Sequence, residues 1–217
     1  MTRAQLPAGA KLWLLSLLLC AIFVPLVFRH LDLAIALRMR PWATHLAPLG
    51  EGLGSAILLS IEALLLLYLS ITRVVVGSLR PFGRTLALAT LASVCAYAVN
   101  STVLKVAFGV PAPWEVWSGA HHGIHFLKGT GNSSFPSGHM ALAGAFCGVF
   151  FRLYRSSVVP LGIFMLLAAT LLVAGVWHFV SDVIAGSFLG ISAGLLAGEV
   201  WYEHIHRQQG IAAAPND

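Results

Sequence analysis

Six stretches of the chain are apolar enough and long enough to cross about 30 Å of hydrocarbon, which takes roughly 20 helical residues and sometimes as few as 17. They run from Leu12 to Phe28, Leu53 to Thr72, Leu86 to Leu104, Pro136 to Leu153, Val158 to Trp177 and Val183 to Tyr202. Composition agrees: of 217 residues, 58% are hydrophobic and only 10% charged, where a soluble protein carries about 25% charged residues. Too little polar surface remains to cover a core in water. The pattern predicts an all-α polytopic membrane protein with six transmembrane helices in one bundle. A single domain would occupy residues 1–207, followed by a polar, disordered tail over 208–217.

The first stretch follows Arg3 and Lys11 as a secretory signal would. No small-x-small cleavage site comes after it, however, and Leu19 before Cys20 spoils a lipoprotein site, so it reads as an anchor. The net charge of +5 is spread as single basic residues between apolar runs, which marks membrane topology rather than nucleic-acid binding. With the N-terminus in the cytoplasm, the inner loops hold Arg3, Lys11, Arg73, Arg80, Arg84, Arg152, Arg155 and Arg207. The outer loops hold Arg29, Arg38, Arg40, Lys105 and Lys128. This excess favours that orientation, in a bacterial-type inner (plasma) membrane. Cys20, Cys95 and Cys147 lie in apolar stretches without metal spacing and read as small core residues.

Two extramembrane stretches are long. Arg29 to Gly52 contains an amphipathic piece, Leu31 to Met39, which suits either a helix lying along the interface or an ordinary connecting loop. Lys105 to Phe135 is rich in Gly, His, Trp and Pro and has no clear period; long loops of this kind are often functional. Trp114 and Trp117 suit anchors at headgroup level. In the last apolar stretch Gly186, Gly190, Gly194 and Gly198 share one helical face, which leaves two readings open, close packing within the chain or the seam of a homodimer. Glu62, in mid-span, should face the bundle and find a hydrogen-bond partner; Asn100, Ser101 and Thr102 suit partners for neighbouring helices.

The topology brings polar residues together. Lys105 ends the third span, His139 lies in the first turn of the fourth, and His178 and Asp182 straddle the junction of the fifth and sixth, all on one membrane face. Polar residues at such depth are costly and usually functional. If a helix runs through His178 and Asp182, their spacing of four lets the carboxylate fix the imidazole tautomer and leave the other nitrogen free to attack. The alternative is a pair that caps a helix junction. Pro136-Ser137-Gly138-His139 reads as a helix start, with Pro136 in the first turn, Ser137 as cap and Gly138 open to a ligand; free amides there suit an anion. One Lys, two His, one Asp and a helix N-terminus make a phosphate-handling set.

Phe135-Pro136-Ser137-Gly138-His139 and His178-Phe179-Val180-Ser181-Asp182, with Lys105 about 30 residues ahead of the first, resemble the type 2 phosphatidic acid phosphatase superfamily. The resemblance covers residues 105–198, and the spans before it fit that family's six-helix layout. It implies a lipid phosphatase of the phosphoric monoester hydrolase type that uses no metal and no cofactor. His178 would attack phosphorus to form a phosphohistidine, Asp182 would orient it, and His139 would protonate the leaving oxygen. Lys105 and the amides near Ser137 and Gly138 would hold the anionic oxygens.

Two family positions differ. The Arg-Pro expected after Lys105 is Ala112-Pro113, and the Ser-Arg expected before His178 is Leu171-Leu172. Lysine does not replace a bidentate guanidinium on phosphate. Lys128, in the outer loop beside His121, His122 and His125, is a candidate to reach the phosphate instead; the three histidines lack the acid or Cys expected of a metal site. The expected function is hydrolysis of a lipid phosphate or pyrophosphate at the outer face, on a substrate drawn from the surrounding bilayer. A phosphoryl transferase between lipids or sugars, and an inactive relative that binds a lipid phosphate, are the alternatives.

Overall fold

The structure, a computed structural model, describes residues 8–43 and 51–208 and is helical throughout its regular elements. The expected disordered tail lies outside the described residues beyond Gln208. Among the described residues nine α-helices run in order: α1 Ala8–His30, α2 Asp32–Ala43, α3 Glu51–Val76, α4 Pro81–Val99, α5 Lys105–Phe108, α6 Pro113–Trp117, α7 Gly138–Leu153, α8 Val158–Ala174 and α9 Val180–Gln208. Among the described residues five segments are long and apolar enough to cross a membrane: Gly9–His30, Ala56–Val76, Pro81–Trp117, Arg155–Ala174 and Val180–Arg207. Their outward side chains, such as Leu12, Phe23, Leu64, Val74, Leu166 and Val200, are exposed. An apolar surface of that extent fits a multi-pass membrane protein.

The fourth expected span is different in kind. With 16 residues, α7 is about 24 Å long, short of the hydrocarbon thickness, and it is buried along most of its length. It packs chiefly against α9 and α4, with α8 beside it; α1 lies on α9 and α3 on α4. Gly186, Gly190, Gly194 and Gly198 explain the closest of these contacts. A Cβ at Gly190 would stand 2.3 Å from the Ala141 carbonyl oxygen, and one at Gly194 would stand 2.1 Å from that of Ala145. The glycine face is therefore spent on α7 within the chain, and the homodimer seam considered for it is corrected: no surface is left there for a second copy.

Helix ends account for the other departures. Pro136 lies just outside α7, and Ser137 is the cap, its Oγ accepting the Met140 amide at 3.4 Å. α8 stops at Ala174 rather than Trp177 because Val176 takes a left-handed φ of 55°. The Val176 amide then bonds the Val173 carbonyl at 3.0 Å and the Trp177 amide bonds that of Leu172 at 3.1 Å, which is the Schellman arrangement. α4 runs on through a π-helical turn, Asn100–Leu104, into α5, so Lys105 sits within a continuing helix that Gly109 closes at φ 59°. Glu62 accepts the Ser93 hydroxyl at 2.5 Å, the structural bond expected of it. Cys147 is buried and Cys20 half-buried, whereas Cys95 is exposed, so it is not a core residue.

Candidate active site

Three helix ends build the site. The Schellman turn that ends α8 also holds His178, whose amide bonds the Leu172 carbonyl at 3.3 Å. No helix runs through His178 and Asp182; α9 begins between them, at Val180. They meet because Asp182 folds back from the first turn of α9. Its Oδ2 accepts the Phe179 amide at 2.8 Å and lies 3.4 Å from His178 Nδ1. A first-turn carboxylate reaching back to the cap amide is half of a capping box. One carboxylate therefore both caps α9 and stands beside His178 Nδ1.

On the other side, His178 Nε2 lies 3.3 Å from His139 Nδ1. His139 stands in the first turn of α7, where the Ser137 amide bonds the Asp182 carbonyl at 3.0 Å, tying the start of α7 to the start of α9. Asn100, at the π-helical turn, donates to the Pro136 carbonyl at 3.0 Å. Ser101 and Thr102 instead bond back within their own helix. Lys105 is buried, and its charge acts on both His139 and Asp182. Gly54 of α3 passes over the His139 ring so closely that a Cβ there would be 2.9 Å from Nε2.

The structure thus brings together His178, His139, Asp182, Lys105, Ser137 and Gly138. Lys128 is exposed in the loop between α6 and α7, and its amide bonds the His125 carbonyl at 3.0 Å. No described hydrogen bond or ion pair joins its side chain to the two histidines. His121 and His125 are also exposed, whereas His122 turns inward, stacked on Phe28 at 4.4 Å and edge-on to Phe179 at 4.6 Å. Among the described residues no group of three His, Cys, Asp or Glu could hold a metal ion. The two positions where the resemblance leads one to expect arginine are buried and apolar: Ala112 has its amide bonded to the Glu115 carboxylate at 2.7 Å, and Leu172 packs with Met140, Met165 and Val183.

Three further residues take part around the site. Ser134 donates from Oγ to Asp182 Oδ2 and lies 3.4 Å from His178 Nδ1. Asp32, in the stretch that suits either an interfacial helix or a connecting loop, is only 1% exposed. It accepts the amide of Ser181 at 3.0 Å and the hydroxyl of the same residue, so it caps α9 from α2. His122 Nε2 stands 3.9 Å from Asp32 Oδ2. Burial pushes the Asp32 carboxyl up to about 6 and holds the His122 imidazole below its ordinary value, so this contact is not an ion pair at neutral pH. Ser134 was accessible to sequence reasoning through its place just ahead of the Pro136 turn. Asp32 carried only the weak signal of an acid inside an apolar run.

Compared with the curated proteins and with the solved structures, the chain finds no match. Among protein families the outcome is different: residues 82–205, more than half of the chain and reaching from the start of α4 nearly to the end of α9, match the PAP2 superfamily, and the chain belongs to it.

Proposed function

We propose that this protein is a six-span membrane phosphatase that hydrolyses a lipid phosphate or pyrophosphate through a phosphohistidine, with its site at the outer face of a bacterial-type inner membrane. Membership in the PAP2 superfamily implies membrane phosphatase-type chemistry in general. The observation that carries the finer reading is the 3.3 Å approach of His178 Nε2 and His139 Nδ1, with Asp182 behind the other nitrogen of His178. A proton on Nδ1, held toward Asp182, leaves Nε2 unprotonated, with its lone pair as the nucleophile. That nitrogen attacks phosphorus, and the bond from phosphorus to the leaving oxygen breaks as His139 gives that oxygen a proton. Water then attacks the phosphohistidine, His139 takes its proton back, and inorganic phosphate leaves.

Lys105 and the first amides of α7 support the negative oxygens. The Ser137 amide is already engaged by Asp182, so this role passes to the amides of Gly138 and His139, with Ser137 holding the turn. The six-span count includes α7, whose short length is offset by its enclosure among longer helices. The excess of basic residues at the opposite end of the bundle supports the orientation.

Phosphate release by the detergent-purified protein from a panel of lipid phosphates and pyrophosphates tests this reading, with His178→Ala and His139→Ala in parallel. Release that disappears in both variants is expected. A folded protein that releases phosphate from none of them would sink the reading. The buried, apolar Ala112 and Leu172 favour the second reading, an inactive lipid-phosphate binder, and that result would point to it. Transfer product without free phosphate would point to a transferase.

A further inference from the structure

The outer loop carries apolar side chains where water would not favour them. Phe126 is 68% exposed and Leu127 80% exposed, with Ile124 and Trp114 also outward. Leu127 moreover has a φ of 58°, a left-handed conformation that costs any residue with a Cβ. The loop is not slack: the amides of His125, Leu127 and Gly129 bond the carbonyls of Phe108, Ala107 and Val106 at 2.9, 2.9 and 3.2 Å. They occupy the orphan acceptors at the end of α5. At Gly129 the approach is so close that a Cβ would meet the Lys105 carbonyl oxygen at 2.1 Å. Strained backbone is thus fastened to the helix end beside Lys105, the candidate phosphate-binding lysine, and what it displays is a leucine.

The surroundings of that leucine follow from its neighbours. Val99 and Val103 are outward-facing, about half exposed, on an apolar side of the α4 to α5 segment, which the membrane-spanning reading turns toward lipid. Ala107, whose carbonyl holds Leu127, is one turn further along. Leu127 therefore extends a lipid-facing strip to the level of the site. Behind it, Phe126 lies 6.3 Å from Phe108, and Phe108 lies 5.0 Å from Phe135, at the turn that opens α7. An apolar path leads from the loop tip to the turn carrying His139, and exposed Lys128 follows the tip where headgroup phosphates would lie.

We propose that Phe126 and Leu127 form a lip immersed in the leaflet beside the site, which receives the acyl chains of the lipid substrate and delivers its headgroup to His178. This rests on the phosphatase reading above. A nitroxide attached at Leu127→Cys, in a chain whose three native cysteines are replaced and which is reconstituted in vesicles, reads immersion without any activity. Accessibility to oxygen but not to a soluble nickel chelate is expected, and a label open to the chelate would overturn the lip. Phe126→Ser with Leu127→Gly, the latter favoured by the backbone at that position, should lower kcat/KM on a long-chain lipid phosphate about tenfold and leave a short-chain, water-soluble phosphate monoester unchanged. Equal loss on both substrates, or loss on neither, would overturn the acyl-chain role. A wild-type protein inactive on both would defeat the phosphatase reading itself, and the nitroxide would still decide whether the lip lies in lipid.

Discussion

Asp32 and Ser181 are 149 positions apart in the sequence and are joined twice, the Ser181 amide to Oδ1 and the Ser181 hydroxyl to Oδ2. Through this pair α2 fixes the first turn of α9, one residue from the carboxylate that faces His178. Replacing Asp32 by Ala removes two buried bonds and a helix cap. The expected loss is about 2 kcal/mol, measured by thermal unfolding in detergent, with a fall in phosphate release because Asp182 is no longer held. Release unchanged in a destabilised variant would confine Asp32 to a scaffold role.

The same region gives stability a dependence on pH. An unfolded Asp ionises near 4, whereas the Asp32 carboxyl is pushed up to about 6. The folded state therefore binds the extra proton between these values, and the Asp32 contribution, full below about 4, declines as pH rises through about 6. His122 acts in the opposite sense. Its imidazole is held below the ordinary value, so its contribution is full above about 6.5 and is lost as pH falls. In Asp32→Asn the Asp32 contribution is removed while the His122 slope remains. Unfolding midpoints from pH 4 to 7 should rise more steeply with pH in the variant than in the parent; parallel curves would remove Asp32 as a source of the effect.

Orientation and capping by Asp182 can be separated. Asp182→Asn offers the Phe179 amide an acceptor but not the charged partner for His178 Nδ1. Stability should change little while phosphate release drops on the order of 100-fold or more. Asp182→Ala should lose both. Equal unfolding temperatures for the two variants would show that the cap is dispensable.

Gly54 and Gly194 make close approaches of different kinds. Gly54→Ala meets a side-chain nitrogen of His139 at 2.9 Å, whereas Gly194→Ala meets the backbone oxygen of Ala145 at 2.1 Å. A ring can turn aside and a helix backbone cannot. The first variant should fold and lose activity by about tenfold or more; the second should lose about 1–3 kcal/mol from overpacking. Circular dichroism melts beside phosphate release distinguish them.

The sequence shows most clearly what is local. His178 and Asp182, the Pro136 turn and the four glycines each form a short pattern with a physical meaning. What the patterns leave open is which surface each one meets. Glycine spacing does not say whether the partner is α7 or a second copy, and Asp32 looks interfacial until α2 is docked on α9. The end of α8 was hidden for a different reason. Its Schellman turn places Val176, not glycine, in the left-handed position, with Gly175 one residue early. Lys105 was read as a helix end because nothing in Asn100-Ser101-Thr102 announces a π-helical turn.

The carboxylate of Asp182 starts α9 and faces His178 at the same time, while its carbonyl receives the amide that begins α7. Assembly and arming are consequently one event. A chain threaded into the membrane with its last helix not docked on α7 would keep His178 apart from His139, and on the mechanism proposed above such an immature protein would be chemically silent toward the lipids around it.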